Sequence, residues 1–120
     1  MAVKFITAKE AAKLVPNGVT FGTNGFMGTT FAEEIAVEME KRFLETGEPN
    51  NLTLLFCAAQ GDNMSKGLLH MAHEGMIHRT IGGHYGMARK IGELVVQNKI
   101  IAYDLPQGVM AHLLRTAAAH

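Results

Sequence analysis

Gln107 stands between Pro106 and Gly108, where a proline fixes the entry to a turn and a helical pattern begins shortly after. A glutamine amide in such a place can donate a hydrogen bond to an oxyanion, and losing one such donor typically removes about 2.7–4 kcal/mol of transition-state stabilisation. Residue type alone leaves a second reading open, a polar side chain bonded to its own backbone. His84, in Gly82-Gly83-His84-Tyr85-Gly86, is the histidine best placed to face a ligand. Asn24, Gly25, Phe26, Met27 and Gly28 form a loop just before a helical pattern, where free amides and the helix dipole favour negative charge. That loop has neither the G-x-G-x-x-G spacing of a dinucleotide site nor the Gly-Lys-Ser/Thr of a P-loop, and taken singly it reads equally well as a turn.

Other reactive residue types carry weaker signals. His70 and His73 are three apart on an expected helix, but with His78 and His84 they lack the tight, cysteine-containing spacing of a structural zinc site, so no metal is expected. Cys57 closes a nearly continuous apolar run, where a thiol is usually inert. Glu33, Glu34, Glu38 and Glu40 crowd one helix and read as solvated surface or as partners of its N-terminal dipole. Lys66, Arg79, Arg89 and Lys90 read as solvated surface before phosphate ligands.

The elements that position these residues follow from periodicity. Thr7-Ala8-Lys9-Glu10 has capping-box spacing and predicts a helix to about Val15, and Thr30 to Glu33 repeats the pattern ahead of a second helix. Phe31, Ile35, Met39 and Phe43 form that second helix's apolar stripe, with an end near Gly47. Strands are expected at Val19 to Thr23, Leu52 to Cys57, Met76 to Ile81 and Ile100 to Tyr103. Gly67 to Glu74 reads as a short helix, Met87, Ile91, Leu94 and Val95 as a helical stripe, and a last helix begins near Val109. Strands alternating with helices predict an α/β fold, a parallel sheet with helices on its faces. In such a fold all four loops, including Gln60-Gly61 and Gly83-His84, fall at the carboxyl ends of the strands, where open α/β sheets bind ligands.

The 120 residues carry 11 Lys and Arg against 11 Asp and Glu, and 48% are hydrophobic, which suits one globular domain with no bias toward nucleic acid or a membrane. No window approaches the roughly 18 apolar residues of a spanning helix, and no secretory signal opens the chain. A single cysteine fits a reducing compartment, so a cytoplasmic protein is expected. The final run, Arg115 to His120, stops inside a helix-favouring stretch and suggests a fragment.

Several stretches in collinear order resemble the N-terminal part of family I coenzyme A transferases, most of all propionate and acetate CoA-transferases. They are Asn17-Gly18 through Gly25-Phe26, Glu40 to Pro49, Ala72-His73-Glu74-Gly75, Gly83-His84, Asn98-Lys99-Ile100, Tyr103 and Pro106-Gln107-Gly108. The longer N-terminal signature of that family is matched only in part, with Asn24-Gly25-Phe26 in place of a Gly-Gly-Phe run. The resemblance implies a three-layer α/β sandwich with a mainly parallel sheet. It implies ping-pong transfer of CoA from a short-chain acyl-CoA to a carboxylate such as acetate through a glutamyl-CoA intermediate, the glutamate lying in a C-terminal half outside this chain. The CoA thioester is then a substrate, with no tightly bound cofactor, and the enzyme is a homo-oligomer. Carried over by residue, Gln107 is the catalytic donor, Gly25 to Gly28 with Asn24 form a wall of the acyl pocket, and Gln60, Gly61, Gly83, His84 and Gly108 line the same edge. The competing reading is a non-catalytic ligand-binding or assembly domain of the same fold.

Overall fold

A computed structural model of the chain describes residues 3–119. The first helix, α1 (Ala8–Lys13), is opened by the expected capping box: the Glu10 N–H donates to Thr7 Oγ1 at 3.2 Å and the Thr7 N–H to Glu10 Oε2 at 2.8 Å. Four strands follow, β1 (Thr20–Thr23), β2 (Leu52–Phe56), β3 (Ile77–Gly82) and β4 (Ile101–Asp104), separated by α2 (Glu33–Thr46), a 3₁₀ turn at Gly67–Met71 and α3 (Arg89–Val96). Helix α4 (Gln107–Ala118) comes last.

The strands form one sheet in the order β1-β2-β3-β4, every neighbour parallel. The chain is therefore an α/β protein with a parallel sheet, as its alternating pattern predicts. A parallel sheet whose strands follow in sequence order receives its right-handed crossovers on one face. The core agrees: Ala12 of α1, Ala36 and Met39 of α2, Leu68 and Met71 of the 3₁₀ turn and Ile91 of α3 join Leu52, Leu54 and Phe56 of β2 in a single buried cluster. The segment expected as a short helix from Gly67 to Glu74 is a tighter 3₁₀ turn ending at Met71, and Leu68 and Met71, three apart and so nearly eclipsed on it, are both buried.

The opposite face of the sheet differs. Register places Gly22, Leu55, Ile81 and Tyr103 in one row and Thr20, Thr53, Arg79 and Ile101 in the next. None belongs to the buried cluster, and Ile101 and Tyr103 are each 50% exposed. The buried Nε of Arg79 has no hydrogen-bond partner among the described residues.

Two helix starts depart from expectation. The capping box at Thr30 to Glu33 does not form: Ala32 is the N-cap, Thr30 takes a left-handed φ of 59°, and the Glu33 carboxylate is drawn to Gly67 and His70 instead. Helix α4 starts at Gln107 rather than near Val109, because Pro106, with its φ of −51°, is already shaped to cap it. At the other end of α2, Gly47 closes the helix in the left-handed conformation (φ 75°), as expected.

Phe56 is the largest fully buried side chain, packed edge-on against the Tyr85 ring at 5.3 Å, and an added Cβ on Gly82 would lie 2.5 Å from its ring. Phe56→Ala should lower stability by about 3–5 kcal/mol, read as a shift of the urea midpoint. A loss below about 1 kcal/mol would place the centre of the core elsewhere.

Candidate active site

Thr23, Phe56, Gly82 and Asp104, the last residues of the four strands, are register partners in one row. The four loops consequently leave the sheet side by side, on the edge where open parallel sheets bind ligands.

Neighbouring loops are tied together in turn. The first and second meet through the Met27 N–H to Ala59 O bond (3.4 Å) and the Gly61 N–H to Met27 O bond (2.7 Å). Beneath them lies Gln60, fully buried: its Nε2 donates to Ala58 O at 2.5 Å and to Gly25 O at 3.1 Å, and its Oε1 accepts from Thr23 Oγ1 at 2.8 Å. All its polar atoms are thus engaged with protein, and Gln60 shapes the loop from below. Asn63 bridges the second and third loops, donating to Gly86 O at 3.0 Å and accepting from the Arg89 N–H at 2.9 Å, so it also caps α3 from a distance. The third and fourth meet where the Leu105 N–H donates to Gly82 O at 2.9 Å, and at Gly83, where an added Cβ would lie 2.4 Å from Cys57 O, 3.2 Å from Leu105 O and 3.4 Å from the Gln107 Cα.

The surface these loops present is partly apolar. Phe26 and Met27 are 55% and 46% exposed, at the tip of a turn closed by Phe26 and Thr29 bonding each other's backbone. Met27 holds a left-handed φ of 53°, a conformation that costs a non-glycine residue roughly 1–2 kcal/mol and that clusters at functional sites. Met27, Gly28 and Gly61 line a groove of about 520 Å³ together with Phe31, Glu33, Asp62, Lys66 and Met87. Asn24 faces a separate apolar cavity of about 280 Å³ between β1, α1 and α2, lined chiefly by Phe21, Phe31, Ile35 and Met71. Gln107 and Gly108, both exposed, form the first turn of α4, which has no acidic residue there and no side-chain cap among the described residues. Its leading amides are open to a negatively charged group. His84 is exposed and folds over Gly86, where an added Cβ would lie 2.8 Å from its ring.

The edge carries fixed charge as well. The backbone N–H groups of Ser65, Met64 and Lys66 converge on Asp62 and hold its carboxyl well below the usual carboxylate range. Behind the second loop, Glu33 and Glu40 of α2 enclose His70 and His73: His70 Nε2 lies 2.9 Å from Glu33 Oε1, His70 Nδ1 2.5 Å from Glu40 Oε2, and His73 Nε2 2.6 Å from Glu40 Oε1. Burial would raise the Glu40 carboxyl, but the bonds from His70 and His73 outweigh it and hold it below its ordinary value. On sequence alone these glutamates read as solvated surface or as partners of the helix dipole, whereas the structure turns Glu33 and Glu40 onto the two histidines. The signal was present, since Glu33 and Glu40 are seven apart and so share a helix face, as do two histidines three apart. Among the described residues no group of three or more His, Cys, Asp and Glu is placed to hold a metal ion, and no helix is long and apolar enough to cross a membrane.

The sheet and its loop edge are those of an α/β protein, and the sequence sets the family. Residues 5–120 match that of coenzyme A transferase, and the chain belongs to it. It is 41% identical over 116 residues to a caffeate CoA-transferase of Acetobacterium woodii and 35% identical over 119 residues to the acetate CoA-transferase YdiF of Escherichia coli K12. These alignments cover 97% and 98% of this chain but 22% of either relative, so the chain spans about a fifth of the length of the curated proteins it matches. The crystal structure of the acyl-CoA transferase YdiF apoenzyme from Escherichia coli O157:H7 superposes with a TM-score of 0.92 at 34% identity, over 96% of this chain and 22% of that one. A YdiF thioester complex with CoA superposes equally well.

Replacing Gln60 by Leu leaves Ala58 O, Gly25 O and the Thr23 hydroxyl without a partner inside the protein, at about 1–3 kcal/mol for each group that water cannot reach. Hydrogen exchange should show the amides of Met27 and Gly61 losing protection together in this variant. Unchanged protection would mean that the two loops are held by their backbone bonds alone.

Proposed function

We propose that this chain is the N-terminal part of an enzyme that moves CoA from a short-chain acyl-CoA, of propionyl, acetyl or acetoacetyl type, to a carboxylate such as acetate. The observation that carries this reading is the level row of strand ends, which gathers the four loops on one edge. In the reaction a glutamate carboxylate, on a part of the enzyme beyond this chain, attacks the thioester carbonyl and expels CoA thiolate, leaving an acyl-glutamyl anhydride. The thiolate then attacks the glutamyl carbonyl and expels the first carboxylate, leaving a glutamyl-CoA thioester. The same two steps run backward with the incoming carboxylate release the new acyl-CoA and restore the glutamate.

Each step puts negative charge on a carbonyl oxygen. Gln107 offers an exposed amide at an uncapped helix start for that charge, and Gly108 keeps the first turn accessible. Gly25, Phe26, Met27 and Gly28 supply a pocket wall, with Asn24 behind it on the adjoining cavity; Gly61 supplies the floor, and Gly83 and His84 the adjoining side, with Gln60 beneath. The remainder of the enzyme covers the second face of the sheet, where Leu55, Ile81, Ile101 and Tyr103 await apolar partners and Arg79 an acceptor. A cytoplasmic homo-oligomer is the setting that fits this chemistry.

The test is CoA exchange between propionyl-CoA and acetate by the full-length protein, in which Gln107→Ala should lower kcat by about 10²–10³-fold while changing KM less. A kcat unchanged by the substitution would remove Gln107 from the mechanism. The 120-residue chain by itself should show no transfer, and turnover by it would place the nucleophile among its own residues.

A further inference from the structure

The Glu33, His70, Glu40 and His73 cluster does no work in the proposed transfer, yet its geometry is demanding. A neutral imidazole carries one N–H, and both ring nitrogens of His70 face carboxylate oxygens, at 2.9 Å and 2.5 Å. With one proton on the ring, one of these contacts would set a nitrogen lone pair against an anionic oxygen. With two, both become charge-assisted hydrogen bonds. The other oxygen of Glu33 accepts the Gly67 N–H at 3.0 Å.

Gly67 is where the chain crosses itself. A Cβ on Gly67 would lie 2.2 Å from Gln60 O, and one on Gly61 2.2 Å from Lys66 O, both at positive φ, so two glycine backbones pass in contact. The Leu68 N–H donates to Gln60 O at 3.0 Å across the same crossing. Gln60 in turn holds Gly25 of the first loop and Thr23 at the end of β1. We infer that His70 is a positioning residue, an imidazolium at neutral pH that fixes Glu33 between itself and the Gly67 amide and so holds the Gly61–Gly67 crossing under the groove. Its bearing on substrate rests on the reading of that groove as part of the transferase site.

The surrounding charges favour this state. Burial opposes the charged ring, but the bonds from Glu40 and then Glu33 outweigh it and raise the His70 pKa above its ordinary 6.5. From α2 the facing groups are Glu33 and Glu40; His73 shares Glu40 from the chain just past the 3₁₀ turn, and Lys66 precedes that turn. On α3, which also packs against the turn, Arg89 pairs with Glu93 at 3.1 Å on the exposed side and Lys90 is exposed. A group whose pKa rises on folding contributes stability that is complete below its unfolded pKa and lost as pH climbs through the folded one. Glu40, whose pKa is depressed, contributes above about 4.5 and loses it as pH falls through the lower folded value. The clamp is therefore tightest between about pH 4.5 and pH 6.5, and above that window it loosens through His70 as pH climbs through the raised folded value.

Neutron diffraction from crystals of the full-length protein near pD 7 should find deuterium on both Nδ1 and Nε2 of His70. A bare nitrogen overturns the inference without any variant. Hydrogen exchange at the Gly67 amide should quicken roughly tenfold in His70→Gln at pH 7, while His70→Arg, a permanent cation with a fork of donors, should keep its protection where the wild type begins to lose it at high pH. Equal exchange in wild type and His70→Gln would overturn the clamp. In the transfer assay His70→Gln should raise KM for the acyl-CoA more than it lowers kcat, with rescue by His70→Arg. Quickened exchange with an unchanged KM would overturn the link to substrate. If the wild-type protein transfers no CoA at all, the functional reading fails, and the deuterium and exchange results still decide the clamp.

Discussion

The parallel ladder from β1 to β4, in register from Thr53 to the strand ends after one irregularity at Leu52, is the constraint on which the rest depends. Parallel neighbours in sequence order send each crossover to the same face, so one side of the sheet acquires a core and the other remains available. Because the register ends level at Thr23, Phe56, Gly82 and Asp104, every loop that follows a strand starts from the same line. A slip of one residue by β2 against its neighbours would turn Phe56 and Leu54 out of the core and move one loop off that line.

Given that line, the loops are locked by side chains doing backbone work. Gln60 spends its amide on three loop atoms, Asn63 supplies the cap that α3 lacks locally, and Glu33 abandons its own helix start to hold Gly67. The contrast with α1 is instructive. That helix, which precedes the sheet and follows no strand, keeps a complete local capping box. Helices α2, α3 and α4, which start at the edge, have no side-chain cap of their own among the described residues, so their amide ends face either a neighbouring loop or the open edge.

Periodicity and turn chemistry made most of the fold legible: the stripe Phe31, Ile35, Met39, Phe43 marks α2, Gly47 marks its end, and the apolar run from Leu52 is the central strand. The same local rules failed at Thr30 to Glu33, where a capping-box pattern lost to a partner 34 residues away. They could not reveal Gln60, because a buried glutamine and a ligand-facing one look alike until its partners are known. The histidine cluster was legible only as spacing, two glutamates seven apart and two histidines three apart, since the contact between the pairs is a product of packing. Gln107 is marked by its proline and glycine neighbours, but the helix begins at Gln107 itself, two residues ahead of the start that periodicity suggests.

The central claim, that this loop edge receives the acyl thioester, is tested most directly by a crystal structure of the full-length protein with an acyl-CoA bound. The account predicts the acyl carbonyl oxygen or its anionic successor about 3 Å from the Gln107 side-chain amide, with the acyl chain against Phe26 and Met27. An acyl group bound away from Gln107, on another edge of this domain or against other parts of the enzyme alone, would contradict it.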